Sequence, residues 1–165
     1  MLSRAEKISE LERCSLRYVV GSLLDAPETH FIAHQCNCVT PRAAGLAAII
    51  FKAYPGANTY KWRKAPTTPG TASLHDGIVN LYAQREPGEA PGADSGETCE
   101  QRLAWLASSL DDALAQVVAL GKAPRFALPA GLGSEMAGGS WPQYADALKA
   151  WLDAHPAAEM LFYVN

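Results

Sequence analysis

Phe31-Ile32-Ala33-His34-Gln35-Cys36-Asn37-Cys38-Val39-Thr40 begins apolar, turns polar at its fourth residue and runs into a helical pattern. The first five residues have the length and aliphatic-aromatic character of a strand buried on both faces. From Pro41 to Tyr54 the apolar positions Leu46, Ile49, Ile50, Ala53 and Tyr54 recur at the spacing of one helix face, and Pro55-Gly56 closes the segment. A buried strand that delivers polar residues to the start of a helix is the unit of an open α/β sheet. In such sheets ligands collect at the carboxyl ends of strands, where helix N-termini present free N–H groups.

Working outward, Ser3 and Glu6 have the spacing of a capping box for a short first helix bearing Ile8 and Leu11. Leu16 to Val20 reads as a strand ended by Gly21. On the other side, Thr71 to His75 and Ile78 to Ala83 flank Asp76-Gly77, a strong hairpin signal, so this pair is expected to be antiparallel. Glu86 to Thr98 has no periodicity and reads as an exposed, mobile loop. Glu100 to Leu120 carries Leu103, Leu106, Leu110, Leu114 and Val117 on one stripe with Gly121 beyond its end, which predicts a long helix. A strand over Arg125 to Pro129, a helix over Trp141 to Ala154 capped by Ser140, and a strand over Met160 to Val164 complete the chain. Strands and helices alternate around one hairpin, which predicts a mixed sheet covered by helices on both faces. Residues 1–15 are expected to form a helical extension and residues 16–165 a single domain.

With 165 residues, 48% hydrophobic and 19% charged, the chain has the composition of an ordinary globule and excludes disorder and collagen-like repeats. A net charge of -3 argues against general electrostatic gripping of nucleic acid, while leaving room for a nucleotide-sized ligand. No apolar run suits a membrane span, and the opening residues lack the apolar stretch of a signal peptide, so a reducing cytoplasm is expected. Cys36 and Cys38 are too close to bridge each other easily, and Cys-x-Cys has no second cluster to complete a zinc set. Reduced thiols and no metal are the expectation.

Two segments stand where strands meet helices. One is His34 to Thr40. The other is Gly131-Leu132-Gly133-Ser134-Glu135-Met136-Ala137-Gly138-Gly139-Ser140, whose glycines allow positive φ and close approach of backbone N–H groups to phosphate oxygens. No lysine follows to make a Walker loop and no GxGxxG opens the first unit, so this loop reads either as phosphate-binding or as a plain connection. His34, Gln35 and Asn37 are each compatible with a structural hydrogen bond. Together, opposite a glycine loop, they suit a sugar-hydroxyl site, because a carboxamide offers both donor and acceptor.

These stretches resemble the macro domain, an α/β/α module that binds ADP-ribose, and are most similar to the branch associated with ADP-ribose 1''-phosphate processing. The residues that carry the resemblance are Val19-Val20-Gly21, His34 to Thr40, Ala44-Gly45-Leu46-Ala47, Tyr54-Pro55, Pro69-Gly70-Thr71, Asn80-Leu81-Tyr82-Ala83-Gln84 and Ala137-Gly138-Gly139-Ser140-Trp141. The resemblance implies a three-layer α/β/α fold with a mixed central sheet over residues 16–165, and no cofactor. It places adenine near Gly21, Ser22 and Leu23. The diphosphate falls between Gly45, Leu46 and Ala47 and the loop Gly133, Ser134, Glu135, Met136 and Ala137, and the distal ribose beside Asn37, with Cys38 and Gln84 at the same strand ends.

It further implies a hydrolase acting on ADP-ribose 1''-phosphate or on an ADP-ribosyl ester of a protein, the alternative being a non-catalytic reader. His34 is the expected proton-transfer group, Asn37 orients the ribose, and Glu135 is available as an acid or base. The sequence departs from the family pattern in four places, the first being a glycine-rich run before the helix that is thinned to Ala43-Ala44-Gly45. Ser22 stands where an aspartate commonly meets adenine, Glu135 stands for a glycine, and Ser140 for an aspartate. Gln84 and Arg85 replace the lysine that another macro branch uses to remove ADP-ribose from glutamate.

Overall fold

The computed structural model describes residues 1–165. Its elements in chain order are α1 (Arg4–Arg13), β1 (Tyr18–Val20), β2 (Phe31–Gln35), α2 (Gly45–Ala53), α3 (Thr59–Trp62), β3 (Ala72–His75), β4 (Ile78–Leu81), α4 (Cys99–Ala119), β5 (Arg125–Pro129), α5 (Trp141–Ala154) and β6 (Glu159–Val164). The six strands form one sheet in the order β1-β6-β5-β2-β4-β3. Every neighbouring pair is parallel except β3 and β4, which are antiparallel with Ala72 opposite Leu81 and His75 opposite Ile78. The mixed sheet and its embedded hairpin agree with the sequence reading.

Alternation along the strands sends side chains into two cores. Ala33, Val79, Leu81, Phe126, Leu128, Met160, Phe162 and Val164 face α1, α4 and α5. Ile32, Ile78, Ala127 and Tyr163 face the smaller core with Ile50 and Phe51 of α2 and Tyr60 of α3. The two layers of helices and the sheet between them give the α/β/α architecture. At the sheet centre, the chain leaves β2 for α2 on one face and leaves adjacent β5 for α5 on the other. The two exit loops therefore diverge around a crevice above the strand ends, where open α/β sheets place ligands.

Three readings of the sequence gain detail or shift. First, α1, expected as a helical extension, packs onto the larger core. Ser3 accepts from the Glu6 amide while Glu6 reaches back to the Ser3 amide, the expected capping box. The helix then buries Leu11 completely in the larger core, and Arg13 pairs with Asp146 of α5 at 2.8 Å. Burying one leucine contributes about 1.5–3 kcal/mol toward holding this short helix in place. Second, α2 begins at Gly45 rather than Pro41 because side-chain hydrogen bonds hold Asn37 to Thr40 in a turn.

Third, the stretch from Glu86 to Thr98 is largely exposed, as expected, but is anchored at both ends. Glu97 is fully buried and paired with Arg102 at 2.9 Å, and its carboxylate accepts from the Arg85 and Glu86 amides at 2.8 and 3.2 Å. Arg102 occupies the inward stripe of α4, where the sequence pattern drew attention only to leucines. No helix is long and apolar enough to cross a membrane.

Candidate functional site

The crevice holds a cavity of about 280 Å³. Its walls are His34, Gln35, Asn37 and Thr40 from the first loop, Arg42, Ala44, Leu46 and Ala47 around the start of α2 but not Gly45, Gln84, Pro87 and Gly88 beyond β4, and Pro129 to Gly133 with Glu135, Met136 and Ala137 from the second loop, with Tyr60 of α3 beneath.

The first loop is built by side chains. Asn37 Oδ1 accepts from the Val39 and Thr40 amides at 3.1 and 3.0 Å, from the Thr40 hydroxyl at 3.1 Å and from Arg63 at 3.2 Å. Asparagine folds its own backbone into a turn in this way. Arg63 also donates to the carbonyls of Asn37 and Thr40 at 3.0 and 2.6 Å, with its guanidinium 4.4 Å above the Tyr60 ring, and the Tyr60 hydroxyl accepts from the Asn37 amide at 2.8 Å. With its oxygen occupied, Asn37 keeps Nδ2 without a partner in the chain.

Gln35 adds the complementary group. Gln84 donates to the Glu86 carbonyl at 2.9 Å, so its amide oxygen must face Gln35, which donates to it at 2.8 Å. That chain of bonds leaves Gln35 Oε1 buried with no donor. An unpaired buried acceptor costs about 1–3 kcal/mol, and a ligand hydroxyl removes the cost.

The second loop is built by backbone. Gly133 and Gly131 take φ of +77° and +84°, and a Cβ on Gly133 would lie 2.2 Å from the Tyr144 ring. Only glycine lets the loop settle on that ring. Leu132, Ser134, Gly138 and Gly139 donate their amides within the loop. The amides of Gly133, Glu135, Met136 and Ala137 donate to no group of the chain. Facing them, α2 has Ala44 at its N-cap with no side-chain bond to its first turn, so its amides are likewise unsatisfied. The loops approach closely: Met136 Sδ sits 2.5 Å from where a Cβ on Gly45 would be. Two sets of unpaired amides at a helix N-terminus and a glycine loop form an anion cradle.

His34 is only 1% exposed, at the back of the cavity. Asn80 donates its amide nitrogen to the Ala57 carbonyl at 2.9 Å, which turns its oxygen toward His34, so His34 Nε2 carries the proton in the 2.7 Å bond between them. Burial lowers its pKa to about 4, against a partial rise from the Asn80 bond. The ring packs edge-on against Phe51 and is neutral at physiological pH. This geometry supports a structural histidine joining β2 to β4, in place of the proton-transfer role.

Glu135 is turned to Lys7 of α1, whose Nζ lies 2.9 Å from Oε1. Arg42 is exposed at the rim and belongs to no ion pair. Leu46, Ala47, Gln84, Gly133, Met136 and Ala137 line the cavity, while several other expected ligand residues do not. Cys38 is fully buried with its thiol on the Gln84 carbonyl at 3.2 Å, Ser134 folds its hydroxyl onto the Gly131 carbonyl at 2.6 Å, and Leu23 is buried in the smaller core. Gly21 and Ser22 end β1, which β6 separates from β5, and the Ser22 hydroxyl accepts from the Leu24 amide at 3.3 Å. Burial pushes the Cys36 and Cys38 thiols up to about 12 and about 11, and all four cysteines are free.

Lys7, Arg63 and Tyr60 escaped the sequence reading. Each lies far along the chain from the loop it serves, and no local pattern marks any of them.

A six-stranded mixed sheet between two helical layers, with an anion cradle between two strand-exit loops, is the macrodomain fold. The chain is similar to the macrodomain of Mycobacterium tuberculosis DarG (TM-score 0.67, 22% identity, covering 91% of this chain and 97% of that one) and to the macrodomain of Thermus aquaticus DarG (TM-score 0.65, 22% identity, 90% and 97%). An Oceanobacillus iheyensis macrodomain with MES bound also matches, with TM-score 0.59 and 11% identity over 88% of this chain and 81% of that one. No protein-family model and no curated protein matches the sequence.

Proposed function

We propose that this protein binds ADP-ribose or a derivative of it, free or attached to a protein. The observation that carries this reading is the pair of unsatisfied amide sets facing each other across the cavity. Two facing sets of amides offer donors to both phosphoryl groups of a diphosphate. The distal ribose then falls beside Asn37 and Gln35, whose free Nδ2 donor and unpaired Oε1 acceptor match a sugar hydroxyl that both accepts and donates. Adenine extends past the cavity toward Gly21 and Ser22.

Hydrolysis of the derivative, an ADP-ribose 1''-phosphate or an ADP-ribosyl ester, is a second reading favoured by the same Gln35 acceptor, which can hold an attacking water. Neither His34 nor Glu135 is free to move a proton, so turnover would rest on positioning alone.

Calorimetry with ADP-ribose, ADP and AMP tests the binding. ADP-ribose is expected to bind most tightly, and Asn37→Ala to reduce its advantage over ADP. Equal affinity for ADP and ADP-ribose would remove the distal subsite. At about 100 times its dissociation constant the ligand stabilises the fold by about 2.7 kcal/mol, which a denaturation curve reads. Prolonged incubation with ADP-ribose 1''-phosphate and with ADP-ribosylated protein decides turnover, and unchanged substrates leave the reader function.

A further inference from the structure

Glu135 poses a physical problem, because a carboxylate in an anion cradle repels the ligand the cradle is built for. We propose that Lys7 of α1 solves it: this residue is the resident counter-charge of the anion site, and the amino-terminal helix is thereby part of the binding apparatus. The inference rests on the diphosphate-binding reading above and adds a residue more than 120 positions away in the chain.

Three observations carry it. Lys7 Nζ is 2.9 Å from Glu135 Oε1, and neither carboxylate oxygen receives a hydrogen bond from elsewhere in the chain although both are buried. Lys7 is therefore the sole compensation for that charge. Gly131 makes room for the pair, since a Cβ there would lie 3.1 Å from Glu135 Oε1 and 3.2 Å from Lys7 Cε. Finally, the helix is anchored at this residue: Trp141, the first residue of α5, donates its indole N–H to the Lys7 carbonyl at 3.2 Å.

With the pair intact, Glu135 is neutralised, the loop amides act on the ligand unopposed, and Arg42 remains as the uncompensated charge at the cavity wall. Without Lys7, a bare carboxylate lies beside the diphosphate at a partly buried site, with 28% of the Glu135 side chain exposed, where Coulomb repulsion is stronger than in bulk water.

The test is a double-mutant cycle read by calorimetry with ADP-ribose and, in parallel, inorganic pyrophosphate. Lys7→Met is expected to weaken both ligands about tenfold, Lys7→Arg to stay within about twofold of the natural chain, and Glu135→Gln to bind at least as well as it. The Lys7→Met/Glu135→Gln double variant is expected to recover the affinity of Glu135→Gln. A double variant as weak as Lys7→Met alone would mean that Lys7 merely supports the fold, and an unchanged Lys7→Met would mean that its charge does not reach the site; either overturns the proposal. If the natural chain binds pyrophosphate with this pattern but not ADP-ribose, the nucleotide reading fails while the counter-charge stands. If it binds neither, both fail.

Discussion

The two loops that enclose the cavity reach similar ends by different means. The β2–α2 loop is shaped by its own side chains: Asn37 organises the turn, and Arg63 and Tyr60, some 25 residues on, lock it. The β5–α5 loop has almost no side-chain structure of its own. It rests on Tyr144, is paired through Glu135 to Lys7, and is tied at Ala137 by Arg102, which also grips the carbonyls of Gly88 and Glu86 on the opposite wall. Four of its amides close bonds within the loop while those of Gly133, Glu135, Met136 and Ala137 donate to nothing in the chain, so the rest of its support comes from outside.

The sharpest way to break this contrast is at Arg102. Arg102→Ala leaves Glu97 buried without its partner and is expected to cost about 3–5 kcal/mol in urea denaturation, because an uncompensated buried charge is the main penalty. The paired change Glu97→Leu/Arg102→Met should cost less than the single one. A loss below about 1 kcal/mol for Arg102→Ala would show that the second loop stands without its brace.

The root of the first loop is probed by pH. The folded state holds His34 neutral with a pKa near 4, whereas an unfolded histidine titrates near 6.5. Above pH 6.5 both states are neutral and this residue adds no pH dependence. As pH falls from 6.5 toward 4, the unfolded chain takes up a proton that the folded chain refuses, and stability drops by about 3 kcal/mol across that window. Urea midpoints at several pH values should show a shallower fall for His34→Gln, and parallel curves would refute the buried, neutral state.

The smallest effect separates glycine's two uses. Gly133→Ala meets both a positive φ and the Tyr144 ring, for an expected cost of about 2 kcal/mol together with weaker ADP-ribose binding. Gly96→Ala has a similar φ of +76° with nothing within 4 Å, and should cost only about 1 kcal/mol and leave binding intact. Equal thermal shifts and equal affinities would mean that contact with Tyr144 does not shape the loop.

Much of this arrangement is legible in the chain itself. Period-two and helical spacings announce the strands and helices, Asp76-Gly77 announces the hairpin, and polar residues at the end of an apolar strand mark the cavity. Each of these signals is local, since it arises from residues within a turn or two of one another. His34 shows the limit. Its identity attracts a chemical role, but its burial between β4 and Phe51 is a property of the packed sheet, which lowers its basicity and ties Nε2 to Asn80.

Composition and spacing thus settle the order of elements, the mixed sheet and which rim of it carries polar groups, because propensity and side-chain periodicity act over short stretches. Only packing decides that α1 belongs to the site, that Glu86 to Thr98 is held, and that the cavity keeps free amides, one free donor and one free acceptor. Those outcomes depend on Lys7, Arg63 and Arg102 meeting partners across the folded molecule, and long-range charge pairing leaves no periodic trace along a chain.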